Sequence, residues 1–197
     1  MEDVYKNLCL TIICRYYKLN LIMEDSLALI APDISYKSQY KKMVKRWRKH
    51  DAEILPWFIK ENLKSFNQTV EKLNNYSKGI DVPDGFVPST TYWIKSDKKL
   101  IGAVNIRHKT NDMILKYFGQ IGYAIEPCER HKNYATKALK IALLECKNLK
   151  MKRVLICCDK KNLFSAKTIL NNNGVLENEI LDINNDKIIQ RYWIDIT

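Results

Sequence analysis

The amino-acid sequence predicts an α/β (α+β) fold: a mixed, mostly antiparallel sheet of about seven strands, with a central parallel β-α-β unit and helices on both faces. Three observations carry that prediction. Short apolar or alternating runs of strand length recur along the chain, bounded by Gly, Pro, Asn or Asp. Several longer segments space their apolar residues at helical intervals. One of those, residues 135–149, lies between two apolar runs, and such a strand–helix–strand unit sets its strands parallel with a crossover helix between them.

Taken in order, residues 26–32 (SLALIAP) read as a strand ended by Pro32 and Asp33. Residues 34–49 place Ile34, Tyr36, Tyr40, Met43, Val44 and Trp47 at near-helical spacing. A second helix fits residues 62–76, with Leu63, Phe66, Val70 and Leu73 on one face. The stretch SKGIDVPDGFVPS holds two of the six glycines and two of the five prolines, so it is a loop. A hairpin follows: residues 90–95, a turn at Ser96 and Asp97, then residues 100–108. Residues 120–125 form another strand, and residues 135–149 a helix with Ala135, Leu139, Ile141, Ala142, Leu143 and Cys146 among its apolar positions. RVLICC is a short continuous apolar strand of the kind buried on both faces. A helix over residues 163–172 stops at an asparagine run and Gly174. Two last strands, residues 175–181 and 188–196, are joined by a polar turn around Asn184 and Asn185.

A chain of 197 residues fits one domain with a substantial core, and 46% hydrophobic content is that of a globular protein. No stretch approaches the roughly 20 apolar residues that span a bilayer. The apolar run at residues 8–14 follows the acidic Glu2 and Asp3 and precedes no small-residue cleavage site, so a cytoplasmic protein is expected rather than a secreted one. Six cysteines show neither CxxC nor Cys/His spacing, which favours free thiols over a disulfide framework or a metal site. The net charge of +11 is partly local: residues 37–49 carry seven Lys and Arg and no acid. Such a stripe attracts nucleic acid, anionic membrane or acidic partners, but no nucleic-acid signature accompanies it, and a solvated helix face explains it.

The stretch EPCERHKNYATKALKIALLECKNL raises a sharper point. Arg130, His131 and Lys132 run through Asn133 straight into the helix. A helix start is already an anion site, because its first N–H groups are unpaired and its dipole adds positive charge. Basic residues there suggest a phosphorylated ligand.

This order of elements, with a basic turn opening the central helix, resembles the GCN5-related N-acetyltransferase (GNAT) superfamily and, within it, a bacterial subgroup of predicted acetyltransferases. The fingerprint Q/R-x-x-G-x-G/A reads here Arg130-His131-Lys132-Asn133-Tyr134-Ala135, with Asn133 in place of the first glycine. Asn tolerates positive φ better than most residues. The resemblance extends from about Met23 to the C-terminus, which gives one domain over residues 23–197 and leaves residues 1–22 as an extension; Met23 would serve as an alternative start.

The resemblance implies that residues 130–135 hold the pyrophosphate of acetyl-CoA. Tyr123, Ala124 and Ile125 match the strand whose backbone pairs with pantetheine, where the family's strands four and five splay apart. Asn162 matches a loop asparagine that bonds pantetheine, with Ser165 one turn on; both also suit capping of the next helix. The family's usual tyrosine acid falls here on Ile169, leaving Tyr192 as a substitute. His108, at a strand end, suits proton removal at neutral pH, with Asp159 and Glu126 as weaker candidates. The implied reaction moves an acetyl group from acetyl-CoA to a primary amine of a small molecule or peptide. A cofactor-binding domain with little catalysis is one rival. A basic nucleic-acid-binding module using Lys41, Lys42, Lys45, Arg46 and Arg48 is the other. A homodimer through the last strands is compatible with this reading.

Overall fold

The sheet is built outward from one hairpin. In the computed structural model, which describes residues 27–50, 56, 59, 65–97 and 99–196, β2 (Ser89–Ser96) pairs antiparallel with β3 (Lys99–Arg107). β1 (Leu27–Ile30) adds antiparallel to β2, and β4 (Ile121–Ile125) antiparallel to β3. A second sheet holds β5 (Arg153–Asp159), β6 (Val175–Asp182) and β7 (Lys187–Asp195) in the order β5-β7-β6, again antiparallel. The expected first residues of two elements, Ser26 and Asn62, and the domain boundary at Met23 lie outside the described residues.

Helices cover both faces of the first sheet. After Pro32, the Asp33 carboxylate accepts the Ser35 N–H at 2.8 Å and opens a short 3-10 turn that leads into α1 (Lys37–His50). Tyr40, Met43, Val44 and Trp47 recur at i, i+3, i+4 and i+7 and are buried, while Lys41, Lys42 and Lys45 face solvent. With Phe66 and Val70 of α2 (Phe66–Ser77), they close over Trp93, Leu100 and Ala103. The other face is covered by α3 (Tyr134–Asn148), whose Ala138, Leu139, Ala142 and Cys146 share a core with Ile94, Ile101, Val104 and Ile106. A bulge at Ile101 makes this possible, since the register jumps from Ile94 opposite Gly102 to Lys95 opposite Leu100. Leu100 thereby serves the α1 face and Ile101 the α3 face.

The expected crossover from β4 through α3 to β5 is present, but among the described residues no ladder joins those two strands. They meet only at their starts. There the Gln120 N–H donates to Leu155 O at 2.6 Å, the Gln120 side-chain oxygen accepts the Leu155 N–H at 3.2 Å, and Gly119 and Ile156 form an isolated bridge. A π-helical turn (Ile114–Phe118), which the sequence periodicity does not reveal, feeds this junction. Gly119 ends it at φ 65°, where a Cβ would lie 2.7 Å from Cys157 N. Among the described residues, the second edge of β4 beyond the junction has no strand partner.

Candidate active site

β4 approaches β3 closely where it enters the site. A Cβ on Gly102 would sit 2.1 Å from the Ala124 carbonyl oxygen, so only glycine lets the Ala124–Ile125 backbone lie where it does. Beyond Ile125 the chain turns through Glu126 and a 3-10 turn (Pro127–Glu129). The Glu126 side chain is fully buried and its two carboxylate oxygens each accept the Arg46 Nε at 3.0 Å. Arg46 also donates to Leu100 O at 2.9 Å. Helix α1 is thus tied to the turn that opens α3. Burial pushes the Glu126 carboxyl above its ordinary range, and the Arg46 guanidinium draws it partly back.

The turn itself holds two non-glycine residues in the left-handed region, His131 at φ 63° and Asn133 at φ 60°, ψ 11°. Asn133 makes no side-chain cap, so the first N–H groups of α3 keep no partner from it and stay open to an anion. Arg130 donates from Nε to Ile125 O at 3.2 Å, which holds its guanidinium beside the end of β4. Lys132 is turned the other way, onto Glu129 at 3.0 Å.

α4 (Leu163–Leu170) forms the opposite wall. Asn162 caps it, its carbonyl oxygen accepting the Ser165 N–H at 3.0 Å. The Tyr123 hydroxyl from β4 meets Ser165 Oγ at 2.9 Å, so β4 and α4 are bridged across the gap. Burial pushes the Tyr123 phenol upward. Between these walls lies a cavity of about 650 Å³. Ten of the eleven residues expected to bind the cofactor line it: Tyr123, Ala124, Ile125, Arg130, His131, Asn133, Tyr134, Ala135, Asn162 and Ser165. Lys132 is the exception, drawn off by its ion pair.

The lining also includes residues that sequence reasoning did not single out as binding residues, namely Trp47, Phe164, Lys167 and Thr168. Phe164, Lys167 and Thr168 are recoverable from helical spacing with Asn171 once one face of α4 is known to front the cavity. Trp47 comes from a helix far off in sequence. Its indole Nε1 is buried and, among the described residues, has no hydrogen-bond partner. Open β4 backbone, an αL turn with free helix N–H groups, and cationic rim residues together fit a long, phosphorylated ligand.

Residues 31–174 match the family model described as Acetyltransferase (GNAT) domain. The chain belongs to the GNAT acetyltransferase family. Transfer of an acetyl group to an amine nitrogen is the reaction for which that family is named, and acetyl-CoA is its acetyl donor. A search of curated protein sequences finds no match. Among solved structures, the microcin C7 self-immunity acetyltransferase MccE, in complex with acetyl-CoA and AMP, is 19% identical with a TM-score of 0.65 over 88% of this chain and 94% of its own. The ribosomal alpha-N-protein acetyltransferase RimL, in complex with coenzyme A, is 16% identical with a TM-score of 0.67 over 89% and 97%. An acetyltransferase from Salmonella typhimurium that modifies the N-terminal serine of a ribosomal protein is 15% identical, with a TM-score of 0.65 over 90% and 99%. At these identities the likeness is one of fold.

Within the GNAT frame, none of the three residues read from sequence as catalytic lines the cavity. His108, just past β3, shares a 2.8 Å hydrogen bond with Thr90 Oγ1, and burial holds its imidazole below the ordinary value. Asp159 ends β5 and accepts the Lys161 N–H at 2.8 Å. Tyr192 is buried in the second sheet and donates to Gln190 Oε1 at 2.8 Å. Ile169, at the position of the family's usual tyrosine, is buried in the core against Gly174, and Thr168 beside it faces the cavity instead.

Proposed function

We propose that this GNAT domain binds acetyl-CoA along β4 and transfers its acetyl group to the primary amine of a small molecule or peptide. The observation that carries this reading is the unpaired second edge of β4, which fronts the cavity and runs into the αL turn at residues 130–135. The backbone of Tyr123, Ala124 and Ile125 takes the pantetheine amides. Arg130, Asn133 and the N–H groups of Tyr134 and Ala135 take the pyrophosphate, and Asn162 with Ser165 closes the opposite wall.

In the reaction a neutral amine attacks the thioester carbonyl carbon. The C–N bond forms, the C–S bond breaks, one amine proton goes to a base, and the departing thiolate takes a proton from an acid. The Tyr123 and Ser165 hydroxyls, which meet in the cavity wall, are the donors placed to supply that acid. His108 serves as base through water: burial keeps its imidazole neutral at pH 7, and it sits at the end of the strand next to β4. Proton transfer of this kind contributes roughly 10²–10⁴-fold.

Free thiols at Cys128, Cys146, Cys157 and Cys158 support a reducing, cytoplasmic setting. The partner in solution is a second copy of the chain, paired through the last strands. Nucleic acid is not favoured, because no nucleic-acid-binding signature accompanies the basic stripe, of which Arg46 is committed to Glu126.

Titration calorimetry with acetyl-CoA tests the reading, followed by an amine screen that reads thiol release. Saturable binding is expected in the wild type and with Asn133→Gly, which keeps the αL conformation without strain. Asn133→Val, whose branched side chain resists φ near 60°, should weaken binding by about tenfold or more. A folded wild-type protein that does not bind acetyl-CoA would overturn the proposal.

A further inference from the structure

Two features of the cavity mouth have no role in holding pantetheine or pyrophosphate. Phe164 is 68% exposed and its neighbour Leu163 72% exposed, at the first turn of α4. Most exposed apolar residues need no explanation, but Phe164 also lines the cavity. Its ring is met by His131 edge-on, at 4.7 Å between ring centres and 75° between planes. His131 holds that position from φ 63°, a conformation that costs a non-glycine residue of order 1 kcal/mol or more and persists where surroundings or function require it. Arg130 before it and Asn133 two residues after it line the same cavity. The next chemical group beyond a pyrophosphate in coenzyme A is adenosine with its 3′-phosphate.

We infer that Phe164 and His131 form an adenine subsite, in which the base of acetyl-CoA stacks on the exposed face of Phe164 while the His131 ring braces its edge. This deepens, and rests on, the acetyl-CoA reading above. It gives His131 a different role from the one its charge suggested: the imidazole fixes the platform, and the anionic groups are left to Arg130 and the helix N-terminus. Lys167, one turn further along the same face of α4, supplies a cation to the 3′-phosphate. Stacking on an aromatic ring is tolerant of which base it receives, so the subsite adds affinity for a nucleotide end rather than a sequence of hydrogen bonds.

The test compares two donors by calorimetry: acetyl-CoA, and S-acetyl-4′-phosphopantetheine, which lacks the 3′-phosphoadenylyl moiety and keeps one phosphate of the pyrophosphate. Phe164 is a surface residue, so substitution leaves the core intact. Phe164→Ala is expected to weaken acetyl-CoA about tenfold, the order of one base–aromatic stack, and to leave the truncated donor unchanged. Phe164→Leu keeps apolar area without a π face and should lose nearly as much, whereas Phe164→Tyr should bind as the wild type does. Equal loss for both donors, or no loss for acetyl-CoA, overturns the subsite while the cofactor reading stands. A wild-type protein that binds neither donor overturns both.

Discussion

His108 shows how a residue read from sequence as a base acquires a measurable signature once its surroundings are known. Half-buried and bonded to Thr90, it has an imidazole depressed below the ordinary 6.5 by the loss of solvent around the charged form. Above pH 6.5 the ring is neutral in both folded and unfolded chains and contributes nothing to pH dependence. Below it the unfolded chain takes up a proton that the folded one resists, so stability falls with pH until the folded value is reached. His108→Gln should therefore flatten the acid side of a melting-temperature profile below about pH 6.5. An imidazole resonance for His108 that titrates at or above 6.5 would refute the depressed value and, with it, the argument for a neutral base. Residue chemistry of this kind was only half legible. Asn133 as a residue of positive φ followed from its standing in for a glycine of the GNAT fingerprint, and it lies at φ 60°. His131 in the same conformation did not, although histidine too is enriched there; its backbone is set by the turn around it.

At the scale of elements, α1 was read as an amphipathic helix with a basic stripe, and its buried positions Tyr40, Met43, Val44 and Trp47 fall where periodicity put them. What periodicity could not supply was the partner of Arg46. Glu126 lies 80 residues away and reaches it only because the turn after β4 folds under α1. The stripe thereby loses one cation to the interior, and the helix gains a strut to the start of the phosphate turn. Arg46→Met removes the countercharge of a fully buried carboxylate, and uncompensated buried charge is costly. With Arg46 itself about one-third exposed, the loss belongs near the low end, about 3 kcal/mol at neutral pH. Adding Glu126→Gln to Arg46→Met should recover much of it, because a neutral amide tolerates burial better than an unpaired charge. Urea denaturation of the two variants decides the matter: equal stabilities would show that the ion pair does not support the turn.

For the whole molecule, the run RVLICC and the helix before it were enough to place the crossover, yet the break between β4 and β5 left no mark in either strand's sequence. It arises from tertiary placement. Gln120 ties the strand starts together through both its N–H and its side chain, and beyond that junction no ladder among the described residues joins β4 to β5. That separation opens the cavity, while β7 pairs with β5 on one edge and β6 on the other, so β6 is the outer strand of the second sheet. Almost every residue of β6 is exposed, with Val175, Leu176 and Leu181 on the strand and Ile183, 82% exposed, just beyond it. Edge strands of soluble proteins are usually defended by free charges. Here the acids are already neutralised within the chain, Glu177 by Arg191 at 3.0 Å and Glu179 by Lys160 at 2.7 Å. With Val175, Leu176, Leu181 and Ile183 exposed, and broken by a single bulge near Glu177, this edge suits pairing with its own copy about a two-fold axis, where each β6 meets the other. Two chains of net charge +11 repel at long range, but screening shortens that repulsion to about 10 Å at 0.1 M salt while apolar contact persists. Light scattering should therefore give twice the 23.2 kDa chain mass, with the dimer fraction rising as salt is added. Leu181→Lys with Ile183→Lys should return the protein to a single chain without altering acetyl-CoA affinity, because neither residue lines the cavity. A wild-type protein that remains a single chain at tens of micromolar and high salt would show that β6 is not a self-pairing edge.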